Sequence, residues 1–471
     1  MNSFKKVKNN VVKFHRFSGT IMAFMMLVWF LSGFVLLFYE FPEWENKNQL
    51  QYLKNISSDE ISFPDSVIAK KTEIYKLNND LVYKFDDVVC DQSFQPIKKL
   101  SIQNAVKFVS EKFDISFKNY ETESISEPDI WLKSNSIKCC SEIIKINFDD
   151  KNKSQVYLNL NTAEIIQFTT EEERFFAWIG AIPHLIYFKD FSGSNFFWKW
   201  IIFFLSGFGS LMAFAGLMSG LIKSVRKKKK KLTPYGSRLY KLHHYLGFVF
   251  GLVTFTWVFS GLMSLQPLEL FLDKTEEILL KEKWNSNFTN AVIEKTDFQN
   301  LNFNNVKKIS ITNFSDEQIN ILKFSEFEEV RLLSGEFHNR NSEILIEQIV
   351  KHIQFVYDLP VEQIKVLNSF DNYYFEKKRK KNLPVIKVEF KNNIKSIFYF
   401  DPLNYEIVKT TNKISRLNRW VYKALHRFDF LNLNLRKPLM LFLLAGGTLL
   451  SITGTLFYFR KKIKRNKITK R

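Results

Sequence analysis

Four runs of this chain are apolar and almost free of charge: 17–38, 200–222, 245–268 and 438–459. Each reaches or exceeds the roughly 20 residues that a helix needs to cross a hydrocarbon core, so four membrane-spanning helices are expected. The first run is not a cleavable signal. It is too long for the apolar part of one, and it ends in Tyr39-Glu40-Phe41-Pro42 rather than in small residues. Between the runs the pattern changes. A helical period at 101–113 is followed by alternating segments that close in a hairpin, 155–160 with 164–168. The same order recurs at 342–357, then 396–401 with 406–410, where Asp401-Pro402-Leu403-Asn404 supplies the turn. A helix followed by an antiparallel meander predicts a small α+β module in each outward segment. The polar, Asn-rich stretches 41–98 and 269–335, interleaved with aromatics, read as extra strands.

The apolar runs are not independent of one another. His15, Gly19, Trp29, Ser32 and Gly33 follow H-x3-G-x9-W-x2-S-G, and His243, Gly247, Trp257, Ser260 and Gly261 repeat it. A second pattern, R-x3-W-x5-H, joins Arg174, Trp178 and His184, and recurs as Arg416, Trp420 and His426. Upstream, Tyr157 and Glu164 keep the spacing of Tyr399 and Glu406. The expected fold class is therefore a membrane α-helical protein with a tandem duplication of a two-helix unit, copies at about 11–223 and 238–461. The segments are helix 11–40, outward domain 41–195, helix 196–223, basic loop 224–241, helix 242–268, outward domain 269–437, helix 438–460 and basic tail 461–471.

Charge sets the orientation. Lys and Arg crowd the N-terminus, the loop between spans two and three with its run 227–231, and the C-terminus, all on one side of a four-span chain. That side is predicted to be cytoplasmic, with both long domains outside. The net charge of +20 follows from these membrane-edge clusters and a Lys-rich composition. With no recognition motif beside it, nucleic acid is excluded as a partner and membrane lipid is expected. Three cysteines, Cys90, Cys139 and Cys140, form neither a CxxC nor an even framework, so no disulfide scaffold, zinc or iron–sulfur site is expected.

Five of the seven histidines fall at span boundaries: His15, His184, His243, His244 and His426. A lone histidine there would simply touch headgroups. Recurrence at each end of both copies calls for a common reason, and axial ligation of haem iron supplies one. The bilayer core of about 30 Å keeps the two levels apart. The expectation is therefore two bis-histidine haems: an inner one on His15 and His243, bridging spans one and three, and an outer one on His184 and His426, bridging spans two and four. His244, opposite Arg16 in the other copy, is an alternative inner ligand. Arg16, Arg238 and Lys241 inside, and Arg174, Arg416 and Arg427 outside, are candidate partners for the propionates, with the positive-inside rule and structural salt bridges as rival explanations. No CxxCH occurs, so the haems are expected to be bound without thioether links. The small residues Gly19, Gly33, Gly247, Gly251 and Gly261 suit close helix packing, and Trp29 and Trp257 are placed near mid-membrane. No dinucleotide or phosphate-binding loop is present, so a hydride-handling site is not expected in this chain.

Taken as a set, HRFSG, IPHLIYF, HHYLGFVFGL, WVFSGLMS, ALHRFDF and YFDPLNYEIV resemble the PepSY-associated transmembrane family over residues 11–461. The resemblance implies a four-helix membrane domain, two PepSY-like extracytoplasmic domains and haem b on histidines at the helix ends. It also implies a bacterial inner membrane location with periplasmic domains. Some members are siderophore-iron reductases. The function expected is thus an oxidoreductase that passes electrons from a quinol or cytoplasmic reductase to a ferric chelate or siderophore. Trp131, Tyr373 and Tyr374 are candidates for docking that chelate. The rival is a non-redox regulator whose PepSY-like domains bind a periplasmic protein.

Overall fold

The computed structural model describes residues 2–44, 50, 52–62, 67–77, 80–86, 88–97, 99–127, 129–132, 142–188, 195–225, 233–267, 273–293, 303–325, 328–357, 361–375 and 382–468. Cys139, Cys140 and the basic run 227–231 lie outside them. Among the described residues four helices are long and apolar enough to cross a membrane: span 1 (Asn2–Leu36), span 2 (Asn195–Val225), span 3 (Arg238–Met263) and span 4 (Leu433–Ile468). Span 1 packs on spans 2 and 4, and span 3 packs on the same two, so spans 1 and 3 face each other diagonally. The bundle is held at close range by glycines. A Cβ at Gly447 would lie 2.1 Å from the ring of Phe30, and one at Gly209 would lie 2.8 Å from Met26 and 3.0 Å from Val258. Small residues are what allow such approach where no hydrophobic force acts between helices in lipid.

Between spans 1 and 2 the chain forms β1 (Val67–Ala69), β2 (Lys71–Leu77), β3 (Asp80–Phe85) and β4 (Val88–Cys90). There follow α1 (Ile102–Phe113), β5 (Tyr120–Ile125), β6 (Ile143–Phe148), β7 (Gln155–Asn159) and β8 (Ile165–Thr169). Two short helices, α2 (Glu171–Ile179) and α3 (Ala181–Leu185), lead back toward the bundle. Between spans 3 and 4 come α4 (Thr275–Asn285), β9 (Phe288–Thr289), β10 (Ala291–Ile293), β11 (Lys308–Phe314), β12 (Glu317–Lys323), β13 (Glu329–Leu333) and β14 (Glu336–Asn339). Then follow α5 (Glu343–Val356), β15 (Val361–Leu367), β16 (Val385–Phe390), β17 (Ile397–Phe400) and β18 (Ile407–Thr411). They end in α6 (Lys413–Asn418), a π-helical stretch over Arg419–Ala424, and α7 (Leu425–Arg427).

Each half contains a four-stranded antiparallel sheet of consecutive strands, β5-β6-β7-β8 and β15-β16-β17-β18. The helix before each sheet covers one face. Ala105, Val106 and Val109 of α1 pack on Ile144, Ile146, Val156 and Leu158, and Leu345, Ile349 and Ile353 of α5 pack on Val388, Phe398 and Phe400. Helix α1 starts where Ser101 accepts the Asn104 N–H at 3.2 Å and stops at Asp114, whose φ is 50°.

The stretches read as extra strands do form strands, and they form them together. The path β14-β13-β12-β11-β2-β3-β4 is one sheet, with β2 antiparallel to β11 at its centre, while β1 pairs with β10. Its core comes from both stretches: Ile74, Leu81, Tyr83, Ile309, Ile311 and Leu322 are buried in one cluster. Part of the expectation for 269–335 was wrong, since Thr275–Asn285 is a helix. Asp273 caps the Thr275 N–H at 2.9 Å, Glu276 and Glu277 occupy the first turn, and Trp284 anchors the helix in the core.

Candidate functional site

The four recurring histidines come together as two facing pairs at the two ends of the bundle. His15 and His243 lie at the end that carries both chain termini, with ring centroids 6.4 Å apart. His184 and His426 lie at the end that carries the domains, 6.0 Å apart. Along span 1, His15 is separated from the Trp29–Ser32 level of the other pair by 14–17 residues, or about 21–26 Å of helix.

Each histidine turns Nδ1 toward a fixed acceptor. His15 Nδ1 lies 3.1 Å from the Met212 carbonyl oxygen of span 2. His243 Nδ1 lies 2.7 Å from Thr453 Oγ1 of span 4. His184 Nδ1 lies 3.2 Å from the Trp29 carbonyl and 3.1 Å from Ser32 Oγ. His426 Nδ1 lies 3.2 Å from the Trp257 carbonyl and 3.0 Å from Ser260 Oγ. A carbonyl can only accept. The hydroxyls are already donating, Thr453 to Leu450, Ser32 to Val28 and Ser260 to Trp257. Nδ1 is therefore the protonated nitrogen in all four rings, which leaves each Nε2 with its lone pair.

That arrangement suits axial ligation. Two imidazoles bound through Nε2 to one metal from opposite sides, at about 2 Å each, place their centroids roughly 6 Å apart. An Nδ1–H held by a carbonyl is the usual orienting contact of a ligating histidine. Among the described residues no group of three or more His, Cys, Asp or Glu gathers as a metal site. Two imidazoles alone fit a metal whose remaining ligands arrive with a macrocycle. A shaped cradle accompanies them: a Cβ on Gly216 would lie 2.6 Å from His15 Cε1, so only glycine leaves room for that ring. The buried indole N–H of Trp257 has no acceptor among the described residues.

The geometry gives the W-x2-S-G motif a purpose. In each half its Trp carbonyl and Ser hydroxyl clasp the histidine of the R-x3-W-x5-H motif. Two corrections follow. The domain-side histidines do not bridge spans 2 and 4. They sit on α3 and α7, which end at the left-handed residues Ile186 (φ 52°) and Phe428 (φ 48°), and they bind back onto spans 1 and 3. Trp29 and Trp257 accordingly lie at the level of the domain-side pair, not midway across. Gly33 and Gly251 serve packing, against Leu444 and Leu217, whereas a Cβ at Gly19 or Gly261 would meet nothing within 4 Å.

The remaining candidates separate by surroundings. His244 turns to the Tyr235 ring at 5.7 Å, and it is His243 that faces His15. Arg16, Arg238 and Lys241 are exposed at the terminal end, and Arg427 is exposed beside the domain-side pair. Arg174 donates to the Thr169 and Lys153 carbonyls at 3.0 and 2.6 Å, and Arg416 to the Lys395 carbonyl at 2.9 Å. Both tie the short helices to a turn of the sheet above. The face of each sheet away from α1 and α5 carries a matched polar cluster. Tyr157 donates to Asp129, with Lys145 at 3.5 Å, and Tyr399 donates to Asp371 at 2.9 Å, with Lys387 at 3.5 Å. Burial raises both tyrosines far above the ordinary phenol value, and the neighbouring carboxylates add to it. Trp131 and Tyr374 are buried in these layers, stacked on Phe41 and Tyr399, and Tyr373 is partly buried. Trp131 and Tyr374 fill the core and leave no surface for a chelate, whereas Tyr373 keeps part of its ring accessible beside Arg416.

Met212, Thr453, Gly216 and Gly454 had escaped notice. Their signal is a third shared pattern, G-[ST]-L-x4-G, at 209–216 in span 2 and 447–454 in span 4. A family model for the PepSY-associated TM region matches residues 12–462. No curated protein matches the chain.

Proposed function

The chain belongs to the PepSY-associated transmembrane family, and on that premise we propose that it is a di-haem b electron-transfer protein of the bacterial inner membrane. Its two halves are copies of one unit, a pair of spans with a PepSY-like α+β module between them. Termini and basic loops face the cytoplasm, and the modules face the periplasm. His15 and His243 hold the inner group, and His184 and His426 the outer one. When bound, haem b supplies a one-electron iron centre at each end of the bundle. The protein's part is to fix four imidazoles in one tautomer and shield them within the bundle, and the exposed Arg16 and Arg427 would be partners for the propionates. The acceptor proposed is a ferric chelate such as a siderophore complex, which holds iron less firmly once reduced. The donor is a quinol or a cytoplasmic reductase, because no hydride-accepting motif occurs in the chain.

A single observation carries this reading: all four Nδ1 protons are directed at fixed acceptors of the spans, and the rings face each other in pairs at 6.4 and 6.0 Å. Pyridine haemochrome analysis of protein purified from haem-replete cells should give about two haem b per chain. A folded, colourless preparation would overturn the proposal. Chemically reduced protein should be reoxidised by a ferric chelate, with ferrous iron trapped by a specific dye. Reoxidation only by a thiol, a quinone or a protein would retain the haems and remove the iron-reductase assignment.

A further inference from the structure

The short helices that deliver the domain-side histidines expose large apolar side chains outside the spans. Phe175, Trp178 and Ile179 are 57, 50 and 43% exposed, and Leu417, Trp420 and Phe430 are 47, 42 and 54% exposed. The two sets match: Trp178 and Trp420 each stand six residues before a histidine, and Phe175 and Leu417 each stand three residues before that Trp. The opposite faces are already occupied. Ala177 and Ile182 are buried under the first sheet, and Ala424 is buried in the second half.

Contacts with the spans set the depth of these helices. Phe176 stacks on Tyr39 with centroids 3.5 Å apart, just beyond the end of span 1. The turn at Gly180 presses on Val35, whose Cγ1 would lie 2.8 Å from an added Cβ, and His184 reaches down to Trp29 and Ser32. In the other half Phe428 packs on Trp257, in a cluster with Phe34 and Leu37. Residues 175–186 and 417–430 thus begin at the edge of the spans and descend by about two turns. An apolar surface there, continuous with lipid-facing spans and centred on tryptophan, fits the region where headgroups meet acyl chains.

We propose that α2–α3 and α6–α7 are embedded in the domain-side leaflet, with these six side chains against lipid. The domain-side histidines then lie below the headgroup plane, and a water-soluble molecule does not reach them directly. The surface is independent of what the histidines bind.

Spin labels on single cysteines test this in a chain carrying Cys90→Ser, Cys139→Ser and Cys140→Ser, reconstituted in phosphatidylethanolamine–phosphatidylglycerol vesicles. Labels at Trp178→Cys and Trp420→Cys should collide with oxygen far more than with a water-soluble nickel chelate. They should resemble a mid-span control, Phe24→Cys, and not a turn control, Asn161→Cys. Chelate-dominated relaxation would place the helices in water, and protection from both reagents would mean a protein partner or a second copy; either overturns the proposal. Because loss of an anchoring tryptophan can unseat a helix, a milder pair serves as a second test. Brominated lipid should quench the fluorescence component that disappears in Trp178→Phe/Trp420→Phe. An unquenched difference would overturn the proposal independently.

Discussion

The two histidine pairs fix the same nitrogen, Nδ1, on acceptors of the spans, but they are built differently. His15 and His243 belong to spans 1 and 3, and their acceptors, the Met212 carbonyl and Thr453, belong to spans 2 and 4. Helical register alone puts them in place. His184 and His426 belong to no span. They ride on α3 and α7, at the end of the helical segment that follows the last sheet strand, and each is clasped by a Trp carbonyl and a Ser hydroxyl. The terminal-side pair therefore depends on the bundle, and the domain-side pair on bundle and domains together. A change in a domain has a mechanical route to one pair only.

The sharpest break of this comparison removes the proposed ligands. His15→Ala or His243→Ala should empty only the terminal-side centre, and His184→Ala or His426→Ala only the domain-side one. Each should halve the haemochrome absorbance, and a variant losing both centres would refute the independence of the pairs. Glycine substitutions come next. Gly216→Ala brings a methyl to 2.6 Å from His15 Cε1, and the ring, held by Met212, must leave its site. Gly454→Ala meets His243 at an ordinary 3.8 Å. The first should strip most of the terminal-side centre and the second should leave it filled, as read from haem content.

A smaller effect concerns the sheet that joins the two long segments. Burial alone would raise the Glu73 carboxyl, but Lys308 at 2.9 Å and Lys71 at 3.1 Å pull it down to about 2. A carboxyl lowered on folding contributes stability above its unfolded value of about 4.5, and that contribution is lost as pH falls through about 2. It amounts to about 3 kcal/mol. In Glu73→Gln the acid limb of a thermal-stability profile between about pH 4.5 and 2 should flatten, with haem content unchanged. A profile as steep as that of the unaltered chain would show that this ion pair does not join the segments. The smallest effect is at the clasp. Ser32→Ala and Ser260→Ala each remove one of two acceptors, costing about 1 kcal/mol while the Trp carbonyl remains. The midpoint potential of the domain-side centre should shift and that of the terminal-side centre should not. Equal shifts in both would contradict the division drawn here.

Much of this was legible in the chain. A span needs only a long apolar run, because lipid forces every backbone group to bond within its own helix. His15, His184, His243 and His426 announced themselves by recurring at matched spacings. The helix at 275–285 could have been read from Asp273, Glu276 and Glu277, but its mixed polar and aromatic surface looked strand-like. Gly216 and Gly454 could have been found by aligning spans 2 and 4 as closely as spans 1 and 3.

By itself, then, the order of residues determined the elements: four helices, two helix-and-sheet modules, and the histidines at the span ends. Periodicity and composition act locally, and each element carries its own signature. Tertiary structure alone decided which elements meet. Nothing local to β2 names β11 as its neighbour, since a strand edge offers the same hydrogen bonds to any partner and the choice rests on packing between segments more than 200 residues apart. The burial of Trp131 and Tyr374, and the return of His184 and His426 to spans 1 and 3, depend on the same distant packing. The direction of a side chain is set by whatever the folded chain brings against it.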